Sequence, residues 1–113
     1  MKTKTQNQSH AFKRPIDDFK RELSALYKDR LKQIILYGSW ARVEATGKSD
    51  INVALVLQGR VKPGQEIDRI IDIASDLNSK HGVLLSVYPV SEHDYRHIKS
   101  PLLMNIRKEG VPV

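Results

Sequence analysis

At 113 residues, with 19 Lys and Arg against 13 Asp and Glu and a formal charge of +6, the chain has room for one compact domain and no second one. It contains no cysteine, which excludes a disulfide framework and a thiolate zinc site, so packing must supply the stability. No apolar run approaches the ~20 residues of a membrane span, and the first residues lack the apolar centre of a signal peptide, so a cytoplasmic protein is expected.

The positive excess suits an anionic partner, but Lys2, Lys4, Lys13 and Arg14 fall in a polar stretch without apolar periodicity. Residues 1–14 therefore read as a flexible basic leader, and 15–113 as the domain. One Trp and two Phe are too few for a base-stacking platform, and no reader helix is visible, so nucleic acid is not the expected partner.

Pro15 opens the first predicted helix, where Ile16, Phe19, Leu23, Leu26 and Tyr27 recur at helical spacing as far as Arg30. Leu31 to Tyr37 is rich in β-branched and other apolar residues and is stopped by Gly38, which predicts a buried strand. A short helix can begin at Ser39, and Thr46-Gly47-Lys48-Ser49 is turn chemistry. Ile51 to Leu57 is a second strand, with Ile51, Val53, Leu55 and Leu57 on one face and Asp50, Asn52, Ala54 and Val56 on the other.

After a loop from Gln58 to Gly64, the residues Ile67, Ile70, Ile71, Ala74 and Leu77 define an amphipathic helix to about Lys80. Asp68, Asp72 and Asp76 form a like-charge ladder on its other side, read as a solvated face, with a docking face for a basic partner as the alternative. Gly82 closes the helix, and Val83 to Val90 is a third strand. Ser91 caps a following helix with Asp94 at the capping-box position, and Pro101 starts a last one that Gly110 ends. His93 and His97 stand four apart, a spacing that can bind a metal, yet the HExxH glutamate is absent and Asp94, Tyr95 and Arg96 intervene. The expected fold class is α/β, a small mixed β-sheet flanked by helices.

Chemistry concentrates around the first two strands. A strand that ends in Gly38-Ser39 and feeds a helix start offers backbone N–H groups, a hydroxyl and no Cβ to block a phosphate. At the entry of the next strand, Asp50 and Asn52 project from one face, as two oxygen donors to a Mg²⁺ would.

Taken together, Gly38-Ser39, the intervening Ala41-Arg42 and Glu44-Ala45, and Ser49-Asp50-Ile51-Asn52 before an apolar strand resemble the signature of the minimal nucleotidyltransferases. These belong to the DNA polymerase β-like nucleotidyltransferase superfamily. The resemblance covers about residues 15 to 110, including the tail from Ser100 to Gly110, and implies the polymerase β-like fold. It also implies ATP as substrate, Mg²⁺ as cofactor, and transfer of AMP to an acceptor hydroxyl with loss of pyrophosphate.

Small stand-alone members resemble antitoxins that silence a HEPN-domain RNase toxin by adenylylating a toxin tyrosine and by binding the toxin, which implies a hetero-oligomer. Carried over to this sequence, Gly38 and Ser39 would hold the triphosphate and Arg42 would approach a phosphate. Asp50 and residue 52 would be the catalytic metal ligands.

Three positions depart from the family pattern. Residue 52 is Asn where the pattern has Asp, and Val43 replaces a Gly. The third strand carries Ser86 and no acid where polymerase β-like enzymes supply a third carboxylate. Two readings follow: an active adenylyltransferase, or a catalytically weakened member that works as a binding subunit.

Overall fold

The computed structural model describes the backbone of residues 2–38 and 51–113, and the side chains of 14–38 and 51–113. Helix α1 runs Lys2–Tyr27, followed by a 3-10 turn and strand β1, Leu31–Tyr37. Strand β2 is Ile51–Leu57, helix α2 Pro63–His81 and strand β3 Leu85–Ser91. Helices α3, Glu92–His97, and α4, Pro101–Glu109, lead to a short strand β4, Val111–Pro112. The sheet has the order β3-β2-β1-β4, with β1 antiparallel to both β2 and β4 and β2 parallel to β3. This is the small mixed sheet flanked by helices that the sequence predicts.

The alternation read in β2 separates two apolar layers. Ile51, Val53, Leu55 and Leu57 pack with Ile16, Phe19 and Leu23 of α1 and Ile70 and Leu77 of α2. Ala54 and Val56 face the other way, with Ile35, Val90 and the α4 residues Leu103 and Ile106. A central strand covered on both faces must be apolar nearly throughout, and Asn52 is the half-buried exception.

Leu26 and Ile71, read as core from their spacing, are 41% and 55% exposed. Each lies beside the buried stripe, where helical periodicity alone cannot decide the edge. Asp68, Asp72 and Asp76 are all exposed, as a solvated face requires.

Residues 2–14, expected as a flexible leader, have helical backbone continuous with α1, and Pro15 lies inside that helix rather than at its start. A proline costs a helix the N–H bond to the preceding turn, and Thr3, Thr5, Asn7 and Ser9 are weak helix formers, so composition gives no sign of the helical backbone. The described core begins at Ile16.

Elsewhere the local chemistry explains the ends. The Ser91 hydroxyl accepts from the Asp94 N–H at 3.0 Å, and the Ser100 hydroxyl from the Leu103 N–H at 3.2 Å, with Pro101 in the first turn. Gly82 closes α2 in the left-handed conformation, φ 69°.

Pro89 lies inside β3 without breaking the sheet. The Ile51 N–H bonds the Leu84 carbonyl at 2.8 Å, so even-numbered residues of β3 turn their backbone groups to β2 and odd-numbered ones face outward. The N–H that Pro89 lacks therefore belongs to the free edge, where it blunts pairing with another strand. No helix among the described residues is long and apolar enough to cross a membrane.

One buried charge ties the helices together. The carboxylate of Glu66, 3% exposed, accepts from the Tyr27 hydroxyl at 2.6 Å and lies 3.6 Å from Arg30 and 4.0 Å from Arg69. Burial, and then the hydrogen bond to Glu66, hold the Tyr27 phenol well above its ordinary value. Arg30 also donates to the carbonyls of Gln58 and Arg60, fastening the loop before α2.

Candidate functional site at the end of the sheet

Strand pairing puts Tyr37, Asn52 and Ser86 in one row across β1, β2 and β3. The next row is Ile35, Ala54 and Tyr88. Side chains alternate along a strand, and Ile35, Ala54, Tyr37 and Tyr88 all belong to the α4-side layer, so Asn52 and Ser86 point to that side too. Tyr37, Asn52 and Ser86 are each half-buried, while Ile35 and Ala54 are closed off. The row is thus a polar lip on an apolar floor, at the end of the sheet where β1 ends and β2 begins.

Gly38 follows Tyr37 at this lip with φ 81°, a backbone conformation that favours glycine. A Cβ there would lie 2.7 Å from the side-chain amide nitrogen of Asn52. The backbone of the first motif and the side chain of the second are therefore in direct apposition. Ser39, Arg42 and Asp50 lie outside the described residues, as do Val43 and the short helix expected from Ser39. The chain flanking them, Gly38 and Ile51, emerges at this same end.

The strand register also places the candidate substitutes for the missing acid. Ser86 is the register partner of Asn52, so the position opposite residue 52 is occupied by a hydroxyl. Glu92 and Asp94 follow the far end of β3, where Ser91 pairs Leu57. Six residues of strand at ~3.3 Å each put Glu92 roughly 20 Å from Ser86. They cannot serve this row.

Tyr37 and Tyr88 were not singled out from sequence. Their place follows only from the register of three strands, which no single strand encodes. Burial, and then the neighbouring Tyr88, raise the Tyr37 phenol above its ordinary value, so it stands in the row as a neutral group. The ring nitrogen Nδ1 of His97 lies 2.8 Å from the His93 carbonyl, and the two rings stack with centroids 4.3 Å apart on exposed α3. They lie at the opposite end of β3 from the lip.

Comparison with known proteins decides the family. Residues 22–113 match the family described as Polymerase beta, Nucleotidyltransferase. The chain belongs to this nucleotidyltransferase family. Two relatives from Methanocaldococcus jannaschii, each named "Putative protein adenylyltransferase", are 34% identical to it. One aligns over 98 residues, 87% of this chain and 94% of the relative, and the other over 96 residues, 84% and 90%.

A crystal structure of a "putative nucleotidyltransferase" from Sulfolobus solfataricus has the same fold. Its TM-score is 0.57 at 17% sequence identity, over 99% of this chain and 86% of that one. The two Methanocaldococcus relatives are about the size of this nucleotidyltransferase.

Proposed function

We propose that the chain is an antitoxin-like minimal nucleotidyltransferase. It binds ATP at the Gly38–Asn52 lip, transfers AMP to a tyrosine hydroxyl of a HEPN-domain toxin, and holds that toxin as a partner. The observation that carries the reading is the apposition of Gly38 and Asn52 at the mouth of a half-buried polar row. A glycine backbone with no side chain of its own is what the close approach of a phosphate needs. The adenylyltransferase part draws on the names of the two archaeal relatives.

The described residues offer a Mg²⁺ the amide oxygen of Asn52 and the hydroxyl of Ser86, hard oxygens in register on one face. Mg²⁺ is commonly held by one or two carboxylates together with substrate phosphates, so the set fits if Asp50 contributes the one carboxylate. When bound, the ion offsets triphosphate charge and favours departure of pyrophosphate.

In the reaction the acceptor hydroxyl oxygen forms a bond to the α-phosphorus as the bond to the bridging oxygen of the β-phosphate breaks. Pyrophosphate leaves with the electron pair, and the hydroxyl proton passes to solvent. The residues of the row orient the triphosphate and exclude water along its apolar floor.

A second reading, a weakened enzyme that neutralises its partner by binding alone, is favoured by the neutral side chains at Asn52 and Ser86. One unit of charge at about 4 Å, at an effective dielectric near 20, is worth on the order of 4 kcal/mol, roughly a thousandfold at the upper end. The two readings separate by intact-mass spectrometry of the chain with ATP, Mg²⁺ and the protein encoded beside it. An adduct of AMP mass on the partner that vanishes in Asp50→Ala supports transfer. A stable complex that never acquires the adduct leaves the binding subunit.

A further inference from the structure

We infer that the groove between α2 and the start of β3 is a docking surface for a partner protein. Its occupant is an amphipathic helix that carries an apolar side chain flanked by Lys or Arg. Helix α2 packs on the face of the sheet away from the polar lip, so the inference stands apart from the nucleotide reading.

The groove has a volume of about 280 Å³ and is lined by Ile71, Ala74, Ser75 and Ser79 of α2 and by Leu84 and Leu85. Ile71 is 55% exposed and Leu84 53%. Single exposed apolar residues are ordinary on any surface. Two that share one groove, with only small side chains at Ala74, Ser75 and Ser79 beside them, leave room for an apolar side chain from another molecule.

The charge beside the groove says what that molecule carries. Ile71, Ser75 and Ser79 form one ridge of α2, and Asp68, Asp72 and Asp76 form the next, each three residues before its neighbour. All three acids are exposed, and none makes an ion pair among the described residues. The cations nearest in sequence are engaged elsewhere, Arg69 at 4.0 Å from Glu66 and Lys80 at 3.9 Å from Asp18. On a chain of net charge +6 this is an uncompensated acidic row, whose mutual repulsion a basic partner relieves.

The same sign of charge decides among occupants. Nucleic acid or an anionic membrane would bring phosphates against the row. A second copy docked by the same groove about a two-fold axis would bring an identical acidic row from the other side. A helix with Lys or Arg three or four residues from an apolar anchor meets both features, the anchor entering beside Ile71 and Leu84 and the cations reaching Asp68 and Asp72. From Ile71 to Ser79 the wall of the groove runs about 12 Å, roughly two turns of such a helix.

The test is a titration of the full chain at low salt with a fluorescent helical peptide of about 18 residues, Leu at helical spacing and Lys elsewhere, followed by anisotropy and by NMR. A peptide of the same pattern with Glu for Lys is the control. The Leu/Lys peptide is expected to bind with shift changes confined to α2 between Asp68 and Ser79 and to Leu84 and Leu85, and the Leu/Glu peptide not to bind. Ile71→Ala should weaken binding at least about fivefold, and Asp68→Asn/Asp72→Asn about fivefold with most of the salt dependence lost, the thermal midpoint being no lower in either. No binding of the Leu/Lys peptide, equal binding of the Leu/Glu peptide, shift changes centred elsewhere, or unaltered affinity in the variants overturns the assignment. So does a concentration-dependent dimer, seen by sedimentation, that Ile71→Ala dissolves, since the groove then belongs to a second copy. Each of these outcomes leaves the nucleotide reading as it stands.

Discussion

At Gly38 two constraints meet in one residue: φ is 81°, and the space a side chain would take is filled by the amide of Asn52. Gly38→Ala forces a β-carbon into both. The Asn52 side chain can swing aside, so the stability cost should be that of a left-handed alanine, about 1–2 kcal/mol by urea denaturation. Nucleotide affinity should fall further than that cost explains, because the displaced Asn52 no longer lines the row.

Tyr27 gives the matching prediction away from the site. Tyr27→Phe removes the 2.6 Å hydrogen bond to buried Glu66, and a buried carboxylate deprived of a donor costs about 1–3 kcal/mol. Leu26→Ala, one position away but exposed, should change stability by less than about 0.5 kcal/mol. Gly38-Ser39 after a strand is by itself a common turn, and Gly38 could be singled out from sequence only through its spacing to Asp50-Ile51-Asn52. Tyr27 could be read only as one more apolar position, since its partner is 39 residues away.

Among the elements, the α1–α2 contact has its own acid dependence. Asp18 accepts from His81 at 2.8 Å and from Arg21 at 2.6 Å, with Lys80 at 3.9 Å. The hydrogen bond from His81, and then that from Arg21, hold its carboxyl below its ordinary value of 3.8. A carboxyl lowered in the folded state stabilises the fold at pH values above its unfolded value, and that contribution is lost as pH falls through the folded one. The stability difference between the wild type and Asp18→Asn should shrink as pH falls below 3.8, as measured by urea denaturation from pH ~5 downward.

Ser100→Ala should cost about 0.5–2 kcal/mol by removing the cap of α4, the helix that covers the site face. Strands β1 and β2 were legible to the residue because branched apolar runs bounded by glycine and turn residues leave little choice. β4 was not, because two exposed residues derive their strand character entirely from pairing with Leu36 and Ile35. Helical backbone through residues 2–14 was equally hidden, since no apolar stripe announces it.

Across the whole molecule, the sheet order explains why two motifs separated in sequence belong to one place. β1 and β2 are antiparallel neighbours, so the end of one and the start of the other share an edge, and β3 brings Ser86 alongside. Spacing and alternation were enough to pair Gly38 with Asn52. The surroundings, Tyr37 and Tyr88, and the distance to Glu92 and Asp94 needed the register and direction of β3.

We propose that Asn52 faces the metal-bound phosphates and that its missing charge limits the site. Calorimetric titration of the wild type and Asn52→Asp with Mg²⁺ and a non-hydrolysable ATP analogue tests it most directly. Affinity should rise by at least about tenfold in the variant. Equal affinity in the two proteins would place residue 52 away from the metal and contradict it.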